Sequence, residues 1–351
     1  MKRIFRRILL CAALCLLCTM TAAAAPADDD ARLLAVFHAD TVDLAALSAA
    51  AAQGADYIAV QAVPAADGRM VLQDSDLTVE DAARALGETK LILDVDWADR
   101  AVLRDAIERA GLTDSVLLRT TASAKQITSF LNEQPTGVQV IGVYRGNIIF
   151  NAVSHLRRLT DAGQPLVQYQ SKNYFNVAYE NLFPALLKKS AVRAIAAAWD
   201  PALCGRRGDD VTGWDDLIGK GYSVIETRNI SGLAAYIAQC ETEHAALHTL
   251  LDSAAQTDPL QFDAVGQKTF SAALQAAKDI DAAKYPPLSL LQKCRADLFA
   301  AMRLSASADA AGVQRGSLQV SVGKIAAIVI FGALIFAGQV YVFRMRKKKE
   351  A

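Results

Sequence analysis

The residues best suited to chemistry in this chain stand at or just beyond the ends of short apolar runs. His38 follows Leu33–Phe37, Gln61 lies within Tyr57–Val63, and Asp94 and Asp96 lie at the end of Leu91–Val95. Arg119 follows Val116–Leu118, Arg145 follows Val138–Val143 and Lys172 follows Pro165–Tyr169. Trp199 and Asp200 follow Ala194–Ala198, and Glu226 follows Tyr222–Ile225. A strand-end polar residue is ordinarily a solvated loop starter, so chemistry requires that these residues converge. Together, Arg119, Arg145 and Lys172 would hold an anionic group without a metal. Asp94, Asp96 and Glu226 are the carboxylates that a hard cation such as Ca²⁺ or Mg²⁺ would want. Trp199 and Trp97 offer faces on which a sugar or headgroup can stack.

The elements that must bring them together are the apolar runs themselves. Their near-continuous hydrophobicity suits parallel strands covered on both faces. Helical patterns fill the intervals at Leu44–Gln53, Val79–Leu86, Arg100–Ala110, Ala124–Asn132, Ile149–Ala162, Ala178–Lys189, Asp215–Lys220 and Ser231–Cys240. Gly54, Gly87, Gly111 and Gly163 sit where helices should stop. Eight strand–helix repeats over residues 31–240 predict an α/β fold, a (β/α)8 TIM barrel. An open doubly wound sheet is the rival, but it calls for a glycine-rich phosphate turn after the first strand, and none is present. Strand-end residues of a barrel meet at its C-terminal face, which is where the residues above would gather.

The ends of the chain place it at a membrane. Residues 1–25 read as a signal peptide, with Lys2, Arg3, Arg6 and Arg7, an apolar stretch from Ile8 to Met20, and small residues at Ala22–Ala25. Ile325–Phe343 carries no charge and has the ~20-residue length that crosses a bilayer as a helix. Residues 344–351 are a basic tail that should stay cytoplasmic. The expected protein is single-pass in the cell membrane, with its barrel outside and only its tail cytoplasmic. Between barrel and membrane, residues 241–306 read as three helices (Glu243–Ala254, Phe262–Ala283, Leu288–Leu304), turned at Asp258-Pro259 and Pro286-Pro287, and residues 307–323 as a flexible linker. This helical segment resembles the three-helix FIVAR spacer modules of bacterial surface proteins.

Other chemistries lack their signatures. There is no basic patch interleaved with aromatics for nucleic acid, no Gly-x-Ser-x-Gly elbow, no phosphate loop and no Cys-x-x-Cys. Of six cysteines, three lie in the leader. Cys204, Cys240 and Cys294 remain, either with a Cys204–Cys240 bridge or as separate thiols. His155 is expected on a helix surface. His244 and His248 share a helix face, but no Glu follows His244 as a zincin would require.

One set of motifs, in order, is similar to the glycerophosphodiester phosphodiesterase family. His38-Ala39-Asp40 stands where that family has His-Arg-Gly. Gly54-Ala55-Asp56 is intact, and Ala59 and Gln61 occupy the places of its Glu-x-Asp. Asp67-Gly68 matches its Lys-Asp-Gly turn, Gln73-Asp74 its second His-Asp, and Asp94-Val95-Asp96 its Glu-x-Lys. Trp199 matches a late tryptophan, and Ser223–Asn229 resembles the last strand. The resemblance implies a barrel whose catalytic histidine His38 survives, whose second histidine is Gln73, and whose metal carboxylates are mostly gone. Hydrolysis there needs two acid–base groups and a cation. The expectation is therefore a degenerate, cofactor-free binding or scaffold module for a phosphorylated polyol, a lipid headgroup or a surface polymer. The alternative is an active lipid-metabolising hydrolase with Ca²⁺ or Mg²⁺ in a site rebuilt from Asp94, Asp96 and Glu226.

Overall fold

In the structure, a computed structural model, residues 32–133, 137–145, 149–170, 192–204 and 208–308 are described. Short strands alternate with helices, several of which start at a side-chain cap. β1 (Leu34–His38) leads to α1 (Leu44–Ala52), where Asp43 accepts from the Ala46 amide. β2 (Tyr57–Pro64) and β3 (Met70–Leu72) precede α2 (Val79–Leu86), where Thr78 Oγ1 accepts from the Asp81 amide and donates to the Asp81 carboxylate, and Gly87, at φ +62°, ends the helix. Then come β4 (Lys90–Asp94), α3 (Arg100–Arg109), β5 (Val116–Thr120), α4 (Ala124–Glu133), β6 (Gln139–Arg145), α5 (Ile149–Asp161) and β7 (Leu166–Gln170). β8 (Arg193–Ala197), α6 (Pro201–Cys204), α7 (Val211–Gly219) and β9 (Val224–Thr227) complete the barrel sequence. Three long helices follow: α8 (Ile230–Ala255), α9 (Ala264–Asp281) and α10 (Leu288–Ala308).

Eight of the nine strands form a closed parallel ring in the order β1-β2-β4-β5-β6-β7-β8-β9. Closure is explicit: β1 pairs with β2 (Val36 opposite Tyr57) and with β9 (Leu34 opposite Val224). This is the (β/α)8 barrel, and all eight expected strands are present with ends shifted by up to about two residues. β3 was not expected. It pairs antiparallel with the projecting end of β2, Ala62 opposite Leu72, and forms a small hairpin outside the ring.

The barrel interior is filled by one apolar side chain or more from every strand: Leu34 and Val36, Ala59, Ile92, Leu117, Ile141, Leu166, Ile195 and Val224. The opposite faces of the strands pack against the surrounding helices in a second, larger core.

Two helices expected at Ser231–Cys240 and Glu243–Ala254 are a single helix, α8, because no breaker interrupts residues 230–255. The helices beyond it are knitted to the barrel. Asp215 on α7 accepts from Tyr236 Oη at 3.0 Å and from the Ser289 amide at 3.0 Å, and it also takes the Ser289 hydroxyl. Arg295 pairs with Glu243 at 2.7 Å. Cys240 and Cys294 are buried free thiols, so the Cys204–Cys240 bridge is not formed.

Among the described residues no helix is long and apolar enough to cross a membrane. The signal peptide at 1–25, the helix expected at Ala178–Lys189, the linker from 309 onward, the span at 325–343 and the tail at 344–351 lie outside the described residues.

Candidate functional site: the C-terminal mouth of the barrel

Strand side chains alternate with period two. The residue two places beyond each interior apolar residue therefore points to the same side, one layer higher. From Val36, Ala59, Ile92, Leu117, Ile141, Leu166 and Val224 this gives His38, Gln61, Asp94, Arg119, Val143, Gln168 and Glu226. All seven line a cleft of about 620 Å³ at the strands' C-terminal ends. Its volume lies within the ~300–1,000 Å³ range of small-molecule sites. Asp96, Trp97, Thr120, Thr121, Gln126, Arg145, Gln170 and Trp199 complete the wall.

Arg119 is the centre of the floor. It is 5% exposed and Glu226 is fully buried. Its Nε and Nη2 donate to Asp94 Oδ1 and Oδ2, both at 2.6 Å. Its Nη1 donates to Glu226 Oε2 at 2.7 Å and to Gln168 Oε1 at 3.2 Å, and Nη2 also reaches Glu226 Oε1 at 3.2 Å. Asp94 is its register neighbour on β4. Glu226 lies on β9, four strands away in either direction round the ring. The guanidinium thus spans the barrel, and all five of its N–H bonds are used.

Burial by itself would raise the Glu226 carboxyl. The Arg119 charge, with hydrogen bonds from His38 and Arg119, overcomes this and holds it down at about 2. Burial would likewise weaken the Arg119 proton, but Glu226 and Asp94 push that guanidinium above its ordinary value.

His38 Nδ1 lies 2.8 Å from Glu226 Oε1. The ionised carboxylate can only accept, so Nδ1 carries the proton and Nε2 is left as the ring's basic atom. Nε2 is 3.8 Å from Asp40 Oδ1. Trp199 packs on the His38 ring at 4.6 Å, and Arg228 covers the Trp199 ring at 5.0 Å while pairing with Asp40 at 2.9 Å. Asp209 pins the end of β9 beside this group, accepting from Thr227 Oγ1 at 2.7 Å, the Arg228 amide at 2.7 Å and Trp214 Nε1 at 2.8 Å.

The expected site is therefore partly assembled. His38, Asp94, Asp96, Arg119, Arg145, Trp97, Trp199 and Glu226 share one cleft, while Asp200 does not line it. Lys172 lies outside the described residues. Three roles change. Arg119, expected as an anion ligand, has spent its donors on the protein. Asp94, Asp96 and Glu226, expected around one metal ion, have separate partners: Asp94 and Glu226 both pair with Arg119, whereas Asp96 Oδ1 accepts from the Ala98 amide at 3.0 Å. Among the described residues, no group of three His, Cys, Asp or Glu side chains is arranged to hold a metal ion. Gln73, expected in the second acid–base place, follows β3 in the hairpin, donates its amide to the Gln61 carbonyl at 2.8 Å and does not line the cleft.

Gln168, Gln170 and Asp209 were not anticipated. For Gln168 the signal was present, since it stands two residues beyond Leu166. Arg145 donates Nε to Gln170 Oε1 at 2.5 Å and is otherwise exposed, so its terminal nitrogens remain for a ligand.

The helix histidines also differ from expectation. His155 is buried, with Nε2 lacking a partner among the described residues and burial lowering its pKa. It packs against Gly142, where even a methyl would lie 3.0 Å from its Nε2. His244 and His248 both contact Asp281 on α9, at 3.3 and 3.1 Å, and so tie α8 to α9.

No family model matches this chain, and no curated protein matches it in sequence. Solved structures of similar shape include the glycerophosphodiester phosphodiesterase of Agrobacterium tumefaciens, with 12% identity over 58% of this chain and 99% of that one and a TM-score of 0.41. The Thermotoga maritima glycerophosphodiester phosphodiesterase matches at 12% identity, 57% and 96% coverage and a TM-score of 0.43. Dihydropteroate synthase of Thermus thermophilus matches at 16% identity, 60% and 93% coverage and a TM-score of 0.44.

Proposed function

We propose that the barrel mouth is a binding site for a polyol-bearing ligand and does not perform metal-assisted phosphodiester hydrolysis. One observation carries this reading: a guanidinium sits between the carboxylates that a cation would need. Arg119 is a fixed internal cation, neutralised by Asp94 and Glu226. Displacing it with Ca²⁺ would break five hydrogen bonds and bury a second positive charge beside it.

The remaining groups suit recognition. Gln61, Gln126, Thr121 and Asp96 offer donors and acceptors to hydroxyls, Trp97 and Trp199 offer rings, and Arg145 offers one guanidinium edge to an acidic group. The ligand is a phosphorylated polyol, a lipid headgroup or a surface polymer. The protein presents this barrel outside the cell, held by the span at residues 325–343, with its basic tail inside.

A second reading rests on His38. Its Nδ1–Glu226 contact leaves Nε2 poised as a general base, as a hydrolase with a rebuilt site would require. The two readings separate in one assay. The full chain, in a neutral detergent, is mixed with glycerophosphocholine and Ca²⁺, Mg²⁺ or a chelator, and glycerol phosphate release is measured. No turnover above background is expected in any arm. Metal-dependent turnover that His38→Ala abolishes would establish the hydrolase instead.

A further inference from the structure

The opposite end of the barrel holds a second cavity, of about 450 Å³, between the N-terminal ends of β8 and β9 and the turn joining α9 to α10. Arg193 lines it. This side chain is only 9% exposed. Its Nε donates to Ser223 Oγ at 3.3 Å, and its Nη2 to the carbonyls of Arg32 and Ser223 at 2.6 and 3.0 Å. Its Cζ lies 5.3 Å from the Tyr285 ring. Among the described residues no carboxylate forms an ion pair with it, and Nη1 has no partner. A buried guanidinium ordinarily has a counter-charge, because desolvating an ion costs far more than neutral contacts return.

The rest of the described lining is apolar or cationic. It contains Lys284, whose Nζ lies 5.3 Å from the centroid of the Tyr285 ring, and among the described residues it contains no acidic side chain. Among the described residues, the buried Tyr285 hydroxyl has no hydrogen-bond partner. The other walls are apolar, including Val192, Ile218, Ile280 and Leu290.

We infer that this basal cavity binds an anionic amphiphile, with a carboxylate or phosphate head on the Arg193 Nη1 edge and the Tyr285 hydroxyl, and an apolar body against the helical turn. A planar fork of donors matches either oxyanion. The site is independent of the barrel mouth and of any reading of it.

The test is thermal unfolding of the full chain in neutral detergent, titrated with hexyl phosphate, hexanoate, inorganic phosphate and hexanol. Hexyl phosphate or hexanoate should raise the melting temperature saturably, by roughly 2–4 °C at tenfold excess over Kd. Hexanol should not, and inorganic phosphate should need at least tenfold higher concentration. Arg193→Gln should weaken the response at least tenfold. Because that side chain also ties Arg32 to Ser223, Ala283→Trp, which fills the cavity and leaves the guanidinium in place, should abolish it independently. Absence of a saturable response to both organic anions, an equal response to hexanol or to inorganic phosphate, or a response that survives Ala283→Trp would overturn the inference.

Discussion

Replacing Arg119 by Met tests the central claim about the barrel mouth. The change keeps an unbranched side chain of similar length and removes every donor that Asp94, Glu226 and Gln168 share. Glu226 then stays in a fully buried position without its cation. In the intact protein its carboxyl is held at about 2 against an ordinary 4.5. That gap corresponds to roughly 3 kcal/mol of stability at neutral pH. Breaking a buried ion pair from one side costs ~3–5 kcal/mol by mutational precedent, so the two figures agree. The melting temperature should fall by about 6–15 °C.

The pH dependence gives the sharper signature. The depressed Glu226 pKa of the wild type contributes stability above pH 4.5, which is lost only as pH falls through about 2. In the variant, burial without the guanidinium raises that pKa instead. The deficit should therefore be largest at pH 7 and shrink as pH falls toward 5, where the carboxyl takes up a proton. Urea unfolding at pH 7, 6 and 5 measures this. The double variant Arg119→Met/Glu226→Gln should recover much of the loss, because the stranded charge is gone. A variant as stable as wild type at pH 7, or a deficit independent of pH, would refute the ion-pair reasoning.

Three smaller tests follow from other parts of the molecule. Gly142→Ala should destabilise the barrel by about 1–3 kcal/mol in denaturant melts, since the added methyl would lie 2.6 Å from Leu159 Cδ1. The hydrogen bond that His248 donates to Asp281 raises the His248 pKa, so this contact should favour the α8–α9 pairing below pH 6.5 and lose its effect as pH rises through the folded value; Asp281→Asn should flatten that dependence in helix-melting curves. Burial pushes the Cys240 thiol up to about 11, so a thiol reagent at pH 8 should fail to modify it in the native state and react on unfolding.

Much of the ring was legible because each barrel strand is a short apolar run, and because parallel strands buried on both faces leave that mark. β3 escaped notice because three residues, Met70–Leu72, carry no period. The break expected after Cys240 was a change in composition without a helix breaker, and the helix simply continues. At the mouth, alternation places His38, Asp94, Arg119 and Glu226 in one layer, so their convergence could be read in advance. What they do on meeting could not. Glu226 is 107 residues from Arg119 in sequence, and whether a strand-end arginine faces a ligand or the far wall depends on barrel closure. His155 misled for a similar reason: its neighbours Arg157 and Arg158 suggest a wet face, but Gly142 leaves a hollow on β6 that the imidazole fills.

The pairing of β1 with both β2 and β9 has a consequence for biogenesis. Leu34 and Val224 are neighbours in space yet about 190 positions apart in the chain. Made at ~5–20 residues per second, a nascent chain keeps one side of β1 without hydrogen-bonding partners for roughly 10–40 s. An apolar strand edge bared for that long invites mispairing with other chains. Assembly of this protein is thus gated by its last strand, and chaperone protection of its first would be needed until that strand arrives.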